Sequence, residues 1–235
     1  MSINANELEA PEVYVRVDLC IFGIKDEELK VLLRKRGFPS YKEFWALPGV
    51  FVKKEESLED ASIRVLKEKA GIFETLYLEQ LYTYGEVERD CIIRIVTVVY
   101  FAMVDPEKIK ISEEVDWHPV HELPIVAFDQ ENIIKYAHQR LKNKLEYTAI
   151  ALDILPELFT LTELQKVYEV ILSEKLDKRN FRKKIFSMGI LEPTEKYKLG
   201  VHRPARLYMF KKDLKNKKIP GFRWTRLELG ITTKK

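Results

Sequence analysis

The sequence predicts an α+β protein of two domains: a mixed-sheet α/β sandwich, then a small domain of three helices and a two-stranded hairpin. Apolar runs typical of strands alternate with amphipathic helices up to about residue 147, whereas helical signals crowd the chain after it. The net charge of +3 hides a split: 28 acidic and 20 basic residues precede Pro156, but 9 acidic and 20 basic residues follow from it. We therefore expect residues 1–147 and 148–235 to form separate domains of opposite charge.

The first domain consists of strands interrupted by two helices. β-Branched and aromatic runs predict strands over 13–24, 29–36, 45–52, 75–84 and 92–104, the third broken by a Pro-Gly pair. The last run is so uniformly apolar that it should lie inside the sheet. One helix begins at Ser57, which forms a capping pair with Asp60, and ends at Gly71. The other covers about 130–145 and is apolar on one side and basic on the other.

Three helical signals and a basic hairpin fill the second domain. A short apolar helix is predicted over 149–158, a second begins at the Thr160–Glu163 capping box, and a third begins after Asp177 and ends at Gly189. Two short apolar runs, 190–191 and 205–210, flank a basic loop over 196–204. Three helices and a two-stranded wing predict a winged helix-turn-helix, whose third helix would enter the major groove of DNA.

The basic side chains of the third helix and of the wing are the candidate DNA contacts. Charge alone leaves DNA binding and a solvated, lysine-rich helix face equally open. The acidic cap, the basic cluster on one helix face and the basic hairpin that follows together favour DNA. The predicted contacts are Arg179 and Arg182 to base edges, Lys178, Lys183 and Arg203 to phosphates, and Lys196, Lys198 and His202 to phosphates or the minor groove.

Composition argues against several other classes of protein. No apolar stretch approaches the roughly 20 residues that cross a bilayer, and the N-terminus lacks the pattern of a signal peptide. We therefore expect a cytoplasmic protein with no membrane association. Two cysteines and four histidines without clustered spacing exclude a zinc finger, and we expect no metal and no cofactor. Cys20 and Cys91 lie in apolar runs and should be buried free thiols.

The segment over 47–72, LPGVFVKKEESLEDASIRVLKEKAGI, resembles the Nudix box G-x5-E-x7-R-E-U-x-E-E-x-G-U, in which U is aliphatic. In that family the box carboxylates bind a divalent metal at a diphosphate, which is then hydrolysed. The positions that keep the pattern are Glu56, Arg64 and Glu68. Val50 stands at the box glycine, and Val65 and Lys69 stand at two of the glutamates. These departures predict a Nudix scaffold without Nudix hydrolysis, and no catalytic residues.

A scaffold that has lost metal ligands can still bind a small molecule. Arginines bind phosphate or carboxylate with two parallel hydrogen bonds, acidic side chains accept from sugar hydroxyls, and tryptophan stacks on rings. Any one of these residues is more often a surface ion pair or a core aromatic, and for Asp18 a solvated position is equally open. The candidate ligand contacts are Asp18, Arg34, Arg36, Trp45, Glu68, Glu86, Arg89, Asp90 and Arg94.

The Nudix-like segment followed by LPELFTLTELQKVYEVIL, LDKRNFRKKI and HRPARLY resembles the NrtR/AraR-like, Nudix-related transcriptional regulators. The resemblance runs from about Tyr14 to Phe210. It implies a homodimeric bacterial repressor or activator that binds a pseudo-palindromic operator and senses a pentose such as arabinose or an ADP-ribose-like nucleotide. The lost glutamates suit the sugar branch or another non-hydrolysing sensor. Two alternatives remain: a hydrolase of a nucleoside diphosphate sugar with an accessory domain, and an adaptor that binds a protein through the basic face.

Overall fold

The computed structural model describes residues 12–35, 44–73, 77–89, 93–109, 113–147, 154–199 and 204–211. The first domain contains, in chain order, β1 (Tyr14–Lys25), β2 (Glu28–Lys35), β3 (Trp45–Ala46), β4 (Gly49–Phe51), α1 (Leu58–Ala70), β5 (Tyr77–Tyr84), β6 (Ile95–Met103), β7 (Val115–Pro119) and α2 (Gln130–Tyr147). The second contains α3 (Leu161–Leu172), α4 (Lys178–Ser187), β8 (Leu191–Lys198) and β9 (Ala205–Phe210). Short 3-10 turns lie at Val87–Arg89 and Pro106–Lys108.

The first domain is built on one mixed sheet with β1 at its centre. Its strands lie in the order β3-β2-β1-β6-β5, with β4 also paired to β1 and β7 to β2. The β1–β6 pair is parallel, whereas the other pairs are antiparallel. The apolar run that was expected inside the sheet is therefore confirmed as an interior strand, β6. The predicted α+β fold, a mixed-sheet sandwich followed by helices and a two-stranded hairpin, is confirmed.

The two faces of β1 contribute to different cores because successive side chains of a strand alternate between faces. Val17, Leu19 and Ile21 pack with α1 in one apolar cluster. Cys20 and Phe22 belong to a second cluster, which contains the apolar side of α2 and continues into α3 and α4. The two domains therefore share a continuous core through α2.

Local capping fixes where the helices begin and end. Asp60 N donates to Ser57 Oγ at 3.0 Å, and Gly71 closes α1 with a positive φ of 66°. Thr160 and Glu163 form the predicted capping box of α3, and Asp177 accepts from the backbone N of Asn180 at the start of α4. These caps satisfy backbone groups that a helix end leaves without partners.

The structure extends the sequence prediction at two places. Strand β7 was not predicted: its residues, VDWHP, alternate between apolar and polar side chains, but the run is only five residues long and ends in a proline. The first wing strand was expected over 190–191 but runs to Lys198, so Lys196 and Lys198 lie on a strand and not in the loop. Cys20 is a buried free thiol. Cys91 and residues 149–153 of the predicted 149–158 helix lie outside the described residues, and the prediction is wrong for the described remainder, in which only Ile154 is helical and Pro156 interrupts the backbone hydrogen bonding.

Candidate ligand cleft and nucleic-acid interface

A cleft with two lobes opens on the α2 side of the sheet. The inner lobe, of about 280 Å³, is lined by Arg16, Asp18, Ala46, Phe51, Arg89, Ile93, Ile95, Thr97, Phe128 and Gln130. The outer lobe, of about 550 Å³, is lined by Tyr84, Glu86, Glu88, Arg89, Phe128, Asp129 and Asn132. Because Arg89 and Phe128 line both lobes, we treat the two as one cleft.

The floor of the inner lobe is a buried carboxylate and the arginine it holds. Asp18 is 2% exposed and accepts from Arg16 Nε at 2.6 Å and from Gln130 Nε2 at 3.4 Å. Burial raises the pKa of Asp18, and the neighbouring Arg16 opposes that rise. Gln130 Oε1 accepts from the backbone N of Leu47 at 2.7 Å. The start of α2 is thereby tied to β1 and to the loop before β4.

Gly49 makes room for this pair. A Cβ at Gly49 would lie 1.8 Å from Asp18 Oδ1 and 2.6 Å from Arg16 Nη2, closer than real contacts allow. The glycine sits opposite Asp18 in the β1–β4 register, so the Arg16 side chain lies directly against its backbone. The Arg16 guanidinium lies 5.7 Å from the Phe51 ring centroid, and among the described residues no hydrogen bond engages its terminal nitrogens, which are therefore the donors available to an anion.

Arg89 separates the two lobes and is held rigidly. Its Nε and Nη2 donate to the two carboxylate oxygens of Asp129 at 2.7 and 2.9 Å, and its guanidinium lies 5.3 Å from the Tyr84 ring centroid. Arg94 donates to the backbone oxygens of Gly85 and Glu86 at 2.7 and 3.0 Å. The loop that carries Arg89 is thus fixed at both ends.

The Nudix-box positions do not fit a metal site. Arg64 donates to both carboxylate oxygens of Glu56, at 2.6 and 2.7 Å, and this pairing lowers the pKa of Glu56 to about 2. Val65 is fully buried in the apolar cluster beneath α1, and Lys69 adds positive charge one turn further on. Glu68 is half-exposed and lies 3.6 Å from Arg64. The preserved residues therefore form an ion-pair cluster that holds α1 against β4.

Three of the predicted ligand residues line the cleft: Asp18, Glu86 and Arg89. Arg34 pairs with Glu114, Trp45 packs edge-on against His118 with 4.3 Å between ring centroids, Glu68 belongs to the Arg64 cluster, and Arg94 pins the loop. Arg36 and Asp90 lie outside the described residues. Sequence reasoning missed Arg16, Phe51, Phe128, Asp129 and Gln130. Arg16 could have been found from its position two residues before Asp18, on the same strand face.

A second candidate site is the basic surface of α4 and the wing. Lys178, Arg179 and Lys183 are exposed along α4, whereas Phe181 and Ile185 are buried against α3. Arg182 is half-buried, and its Nε lacks a hydrogen-bond partner in the described part of the chain. The remaining described candidates lie on β8: Lys196 is exposed, and Lys198 pairs with Glu163 at 2.6 Å. His202 and Arg203 fall outside the described ranges.

The two candidate sites are linked by contacts on α3. His138 of α2 lies with Nε2 2.8 Å from the backbone oxygen of Ile171, and burial lowers the pKa of its imidazole to about 4. Lys166 of α3 pairs with Glu27 at the β1–β2 turn, at 2.6 Å. Helix α2, which begins at the cleft, and the turn that follows β1 therefore both contact α3.

Comparison with known proteins identifies the family to which this architecture belongs. Residues 15–138 match the NUDIX domain, and residues 151–210 match the NrtR DNA-binding winged helix domain. The "ADPR responsive transcriptional repressor NtrR" of Acinetobacter baylyi is 38% identical over 208 residues, which cover 85% of this chain and 83% of the relative. The chain belongs to the NrtR family. It carries that family's pairing of a Nudix domain with a DNA-binding winged helix domain.

Solved structures of an NrtR from Shewanella oneidensis agree with this assignment. Its crystal structure in complex with a 27mer DNA is 34% identical, covers 88% of this chain and 97% of that one, and has a TM-score of 0.75. The NUDIX domain of the same protein in complex with ADP ribose is 33% identical and covers 59% of this chain and 94% of that one, with a TM-score of 0.50.

A third relative is an enzyme that matches a smaller share of this NrtR family member. The "ADP-ribose pyrophosphatase" of Methanocaldococcus jannaschii is 31% identical over 144 residues, 60% of this chain and 84% of the enzyme.

In the part of the chain that the structure describes, no helix combines the length and apolar character of a membrane-spanning segment.

Proposed function

We propose that this NrtR family member is a repressor that binds operator DNA through α4 and the wing and releases it when ADP-ribose occupies the cleft. The observation that carries the proposal is the cleft itself. Arg16 and Arg89, each held by a carboxylate, line it together with apolar side chains, and it lies in the domain that binds ADP ribose in the Shewanella relative. The Acinetobacter relative is named for its response to the same ligand. The protein would act in the cytoplasm, where operator DNA lies.

ADP-ribose matches the chemistry of both lobes. Its pyrophosphate needs hydrogen-bond donors, which the terminal nitrogens of Arg16 would supply, while Arg89, already bound to Asp129 and to the backbone oxygen of Tyr84, borders the same lobe. Its ribose hydroxyls need acceptors, and Glu86 and Glu88 line the outer lobe. A pentose alone has neither the phosphates nor the base that such a cleft can bind, and the reported relatives give the pentose interpretation no support.

Binding without hydrolysis is the second part of the proposal. The pyrophosphatase relative favours the alternative of an enzyme. Against it stand the engagement of Glu56 by Arg64, the burial of Val65 in the core and the cation at Lys69. Of the box glutamates expected on α1 only Glu68 remains, and one carboxylate is a poor ligand set for Mg²⁺, which prefers several oxygen ligands. With Mg²⁺ present, we expect ADP-ribose to be recovered intact after incubation with the protein.

The DNA complex is expected to contain two copies of the chain. Two α4 helices on successive major-groove faces would read a pseudo-palindromic operator, and the homodimer follows from that symmetry. Residues 1–147 would form the sensing domain and residues 148–235 the DNA-binding domain. The ligand would act by stabilising one arrangement of α3 relative to β1 and α2, by no more than its difference in affinity for the two arrangements.

Titration calorimetry on the full chain tests the ligand assignment. We expect ADP-ribose to bind and arabinose to give no heat of binding. Arg16→Ala should weaken ADP-ribose binding by about tenfold or more, because it removes a charge-assisted contact to phosphate. Arg34→Ala is the matched control, since Arg34 pairs with Glu114 outside the cleft and its loss should leave the affinity unchanged. Arabinose binding without ADP-ribose binding would overturn the proposal.

A further inference from the structure

Phe128 has two unusual properties for an aromatic residue. Its backbone is left-handed, with φ of 57°, a conformation that costs free energy for any side chain other than glycine. Its side chain is 53% exposed, so burial of the ring does little to offset that cost. Residues held in such conformations concentrate at ligand sites, where the surrounding structure imposes them.

The neighbours of Phe128 impose this conformation. Ala127 donates from its backbone N to the oxygen of Trp45 at 2.9 Å. On the other side, Asp129 accepts both hydrogen bonds of the Arg89 pair, at 2.7 and 2.9 Å. The chain is thus anchored immediately before and after Phe128, and the ring is presented at one place on the rim of the cleft.

The Phe128 ring lies where the two lobes of the cleft meet. Among the residues that the structure describes, Phe128 and Arg89 are the two that line both lobes. An aromatic face next to a fixed guanidinium suits a ligand that carries a flat ring near a phosphate. We propose that Phe128 is the stacking surface for the adenine of the bound nucleotide and sets the preference of the cleft for a ligand with a base. This inference rests on the proposed ADP-ribose response and adds the residue that recognises the base.

Three variants of the full chain separate stacking from a structural role. Phe128→Tyr keeps an aromatic ring, Phe128→Leu keeps an apolar side chain of similar size without the ring face, and Phe128→Gly removes the side chain and accepts the positive φ without strain. We expect ADP-ribose affinity, measured by titration calorimetry, to be retained in the tyrosine variant and to fall about tenfold or more in the other two. ADP, which has the base and both phosphates but lacks the terminal ribose, should follow the same order.

The melting temperature without ligand gives the second measurement. Phe128→Gly should melt no lower than the unsubstituted protein, because the glycine relieves the backbone strain. Ser173→Gly is the matched control, because Ser173 also has a positive φ, 58°, but closes α3 far from the cleft. It should leave ADP-ribose affinity unchanged.

Two outcomes would overturn the inference while leaving the proposed function in place. Equal ADP-ribose affinity in the leucine, glycine and unsubstituted proteins would show that the ring does not touch the base. A lower melting temperature in Phe128→Gly, with the leucine variant binding normally, would show that the ring supports the fold instead. Failure of the unsubstituted protein to bind ADP-ribose would instead sink the proposed function, and this inference with it.

Discussion

At the scale of single residues, the cleft depends on a buried ion pair that a glycine accommodates. Asp18 is almost completely removed from solvent and is balanced by Arg16, with Gln130 as a second donor. A buried carboxylate is tolerated only when it is paired in this way. The pair fixes the guanidinium at the floor of the inner lobe, so the binding group is positioned before the ligand arrives.

Gly49→Ala tests this arrangement. The new Cβ would overlap the Asp18 carboxylate, so Arg16 must move, and we expect ADP-ribose affinity to fall about tenfold and stability by about 1 to 3 kcal/mol. Calorimetry and urea unfolding measure the two effects. Gly85→Ala is the control, because the nearest atom to its Cβ would be Val96 Cγ2 at 3.8 Å, an ordinary contact. Equal behaviour of the two variants would mean that the close packing at Gly49 is unimportant.

The sequence predicted part of the cleft, and the limit has a physical reason. Asp18, Glu86 and Arg89 could be selected as polar residues that interrupt or follow apolar strands. Gln130 lies 112 positions from Asp18 in the chain, and their hydrogen bond exists only because α2 packs back onto β1. Local patterns do not show which distant residues the fold brings together, so Phe128 and Gln130 carried no usable signal.

At the scale of elements, α1 has kept its packing and lost its metal-binding character. Val65 lies in the apolar cluster with Val17, Leu19 and Ile21 of β1, where a family glutamate would need solvent or metal. Restoring the box at this position should therefore damage the fold without creating an enzyme. If only the sequence of the box has changed, a glutamate at position 65 should be tolerated. If the packing of α1 has changed as well, the same glutamate should destabilise the fold.

Val65→Glu is the corresponding variant. An unpaired carboxylate in this cluster should cost about 3 kcal/mol or more, as measured by urea unfolding, and ADP-ribose hydrolysis should stay absent. Ile63→Glu is the matched change on the same helix, at a side chain that is 37% exposed, and should cost less than about 1 kcal/mol. A stable Val65→Glu protein that hydrolyses ADP-ribose would contradict the proposed loss of activity.

Helix α4 gives the second prediction at this scale. If Arg182 binds a guanine edge, Arg182→Ala should cost about 1 to 3 kcal/mol of specific operator binding. Lys183→Ala should mainly reduce the dependence of affinity on salt, because it removes a phosphate contact. Gel shifts at several salt concentrations distinguish the two, with Lys135→Ala on α2, where Lys135 pairs with Glu131, as the control. The assignment of α4 fails if both α4 variants bind as the unsubstituted protein does.

Elements with their own local signals were predicted well, whereas β7 was not. Helices α1, α3 and α4 carry caps and apolar periodicity within their own residues. Strand β7 forms because its backbone pairs with β2, with Trp117 opposite Leu32, and little in its short sequence requires that. Strand pairing between distant segments is a property of the assembled sheet, so single-sequence patterns miss it.

At the scale of the whole molecule, the two domains meet at a half-buried histidine. The imidazole of His138 lies partly shielded from water between α2 and α3, and this partial burial lowers its pKa to about 4. The unfolded chain, with an ordinary histidine pKa near 6.5, binds a proton there first as the pH falls. His138 therefore favours the folded state fully above pH 6.5, and this contribution is lost as the pH falls towards 4.

His138→Gln should flatten the pH dependence of stability in this window. We expect the unsubstituted protein to lose on the order of 2 kcal/mol more than the variant between pH 7 and pH 4.5, measured by urea unfolding. Half-buried His118, whose pKa burial also lowers, is present in both proteins, so its contribution cancels. His121→Gln, at an exposed position, is the control. Identical slopes in all three proteins would refute a role for His138 in the pH response.

The central claim joins the two sites: ADP-ribose in the cleft weakens operator binding by α4 and the wing. The direct test selects a DNA duplex for the full chain from a randomised library and follows the labelled duplex by fluorescence anisotropy while ADP-ribose is added. We predict tight binding that ADP-ribose weakens about fivefold or more, the lower range of coupling between linked sites, and no effect of arabinose. Operator affinity that stays constant at saturating ADP-ribose would contradict the claim.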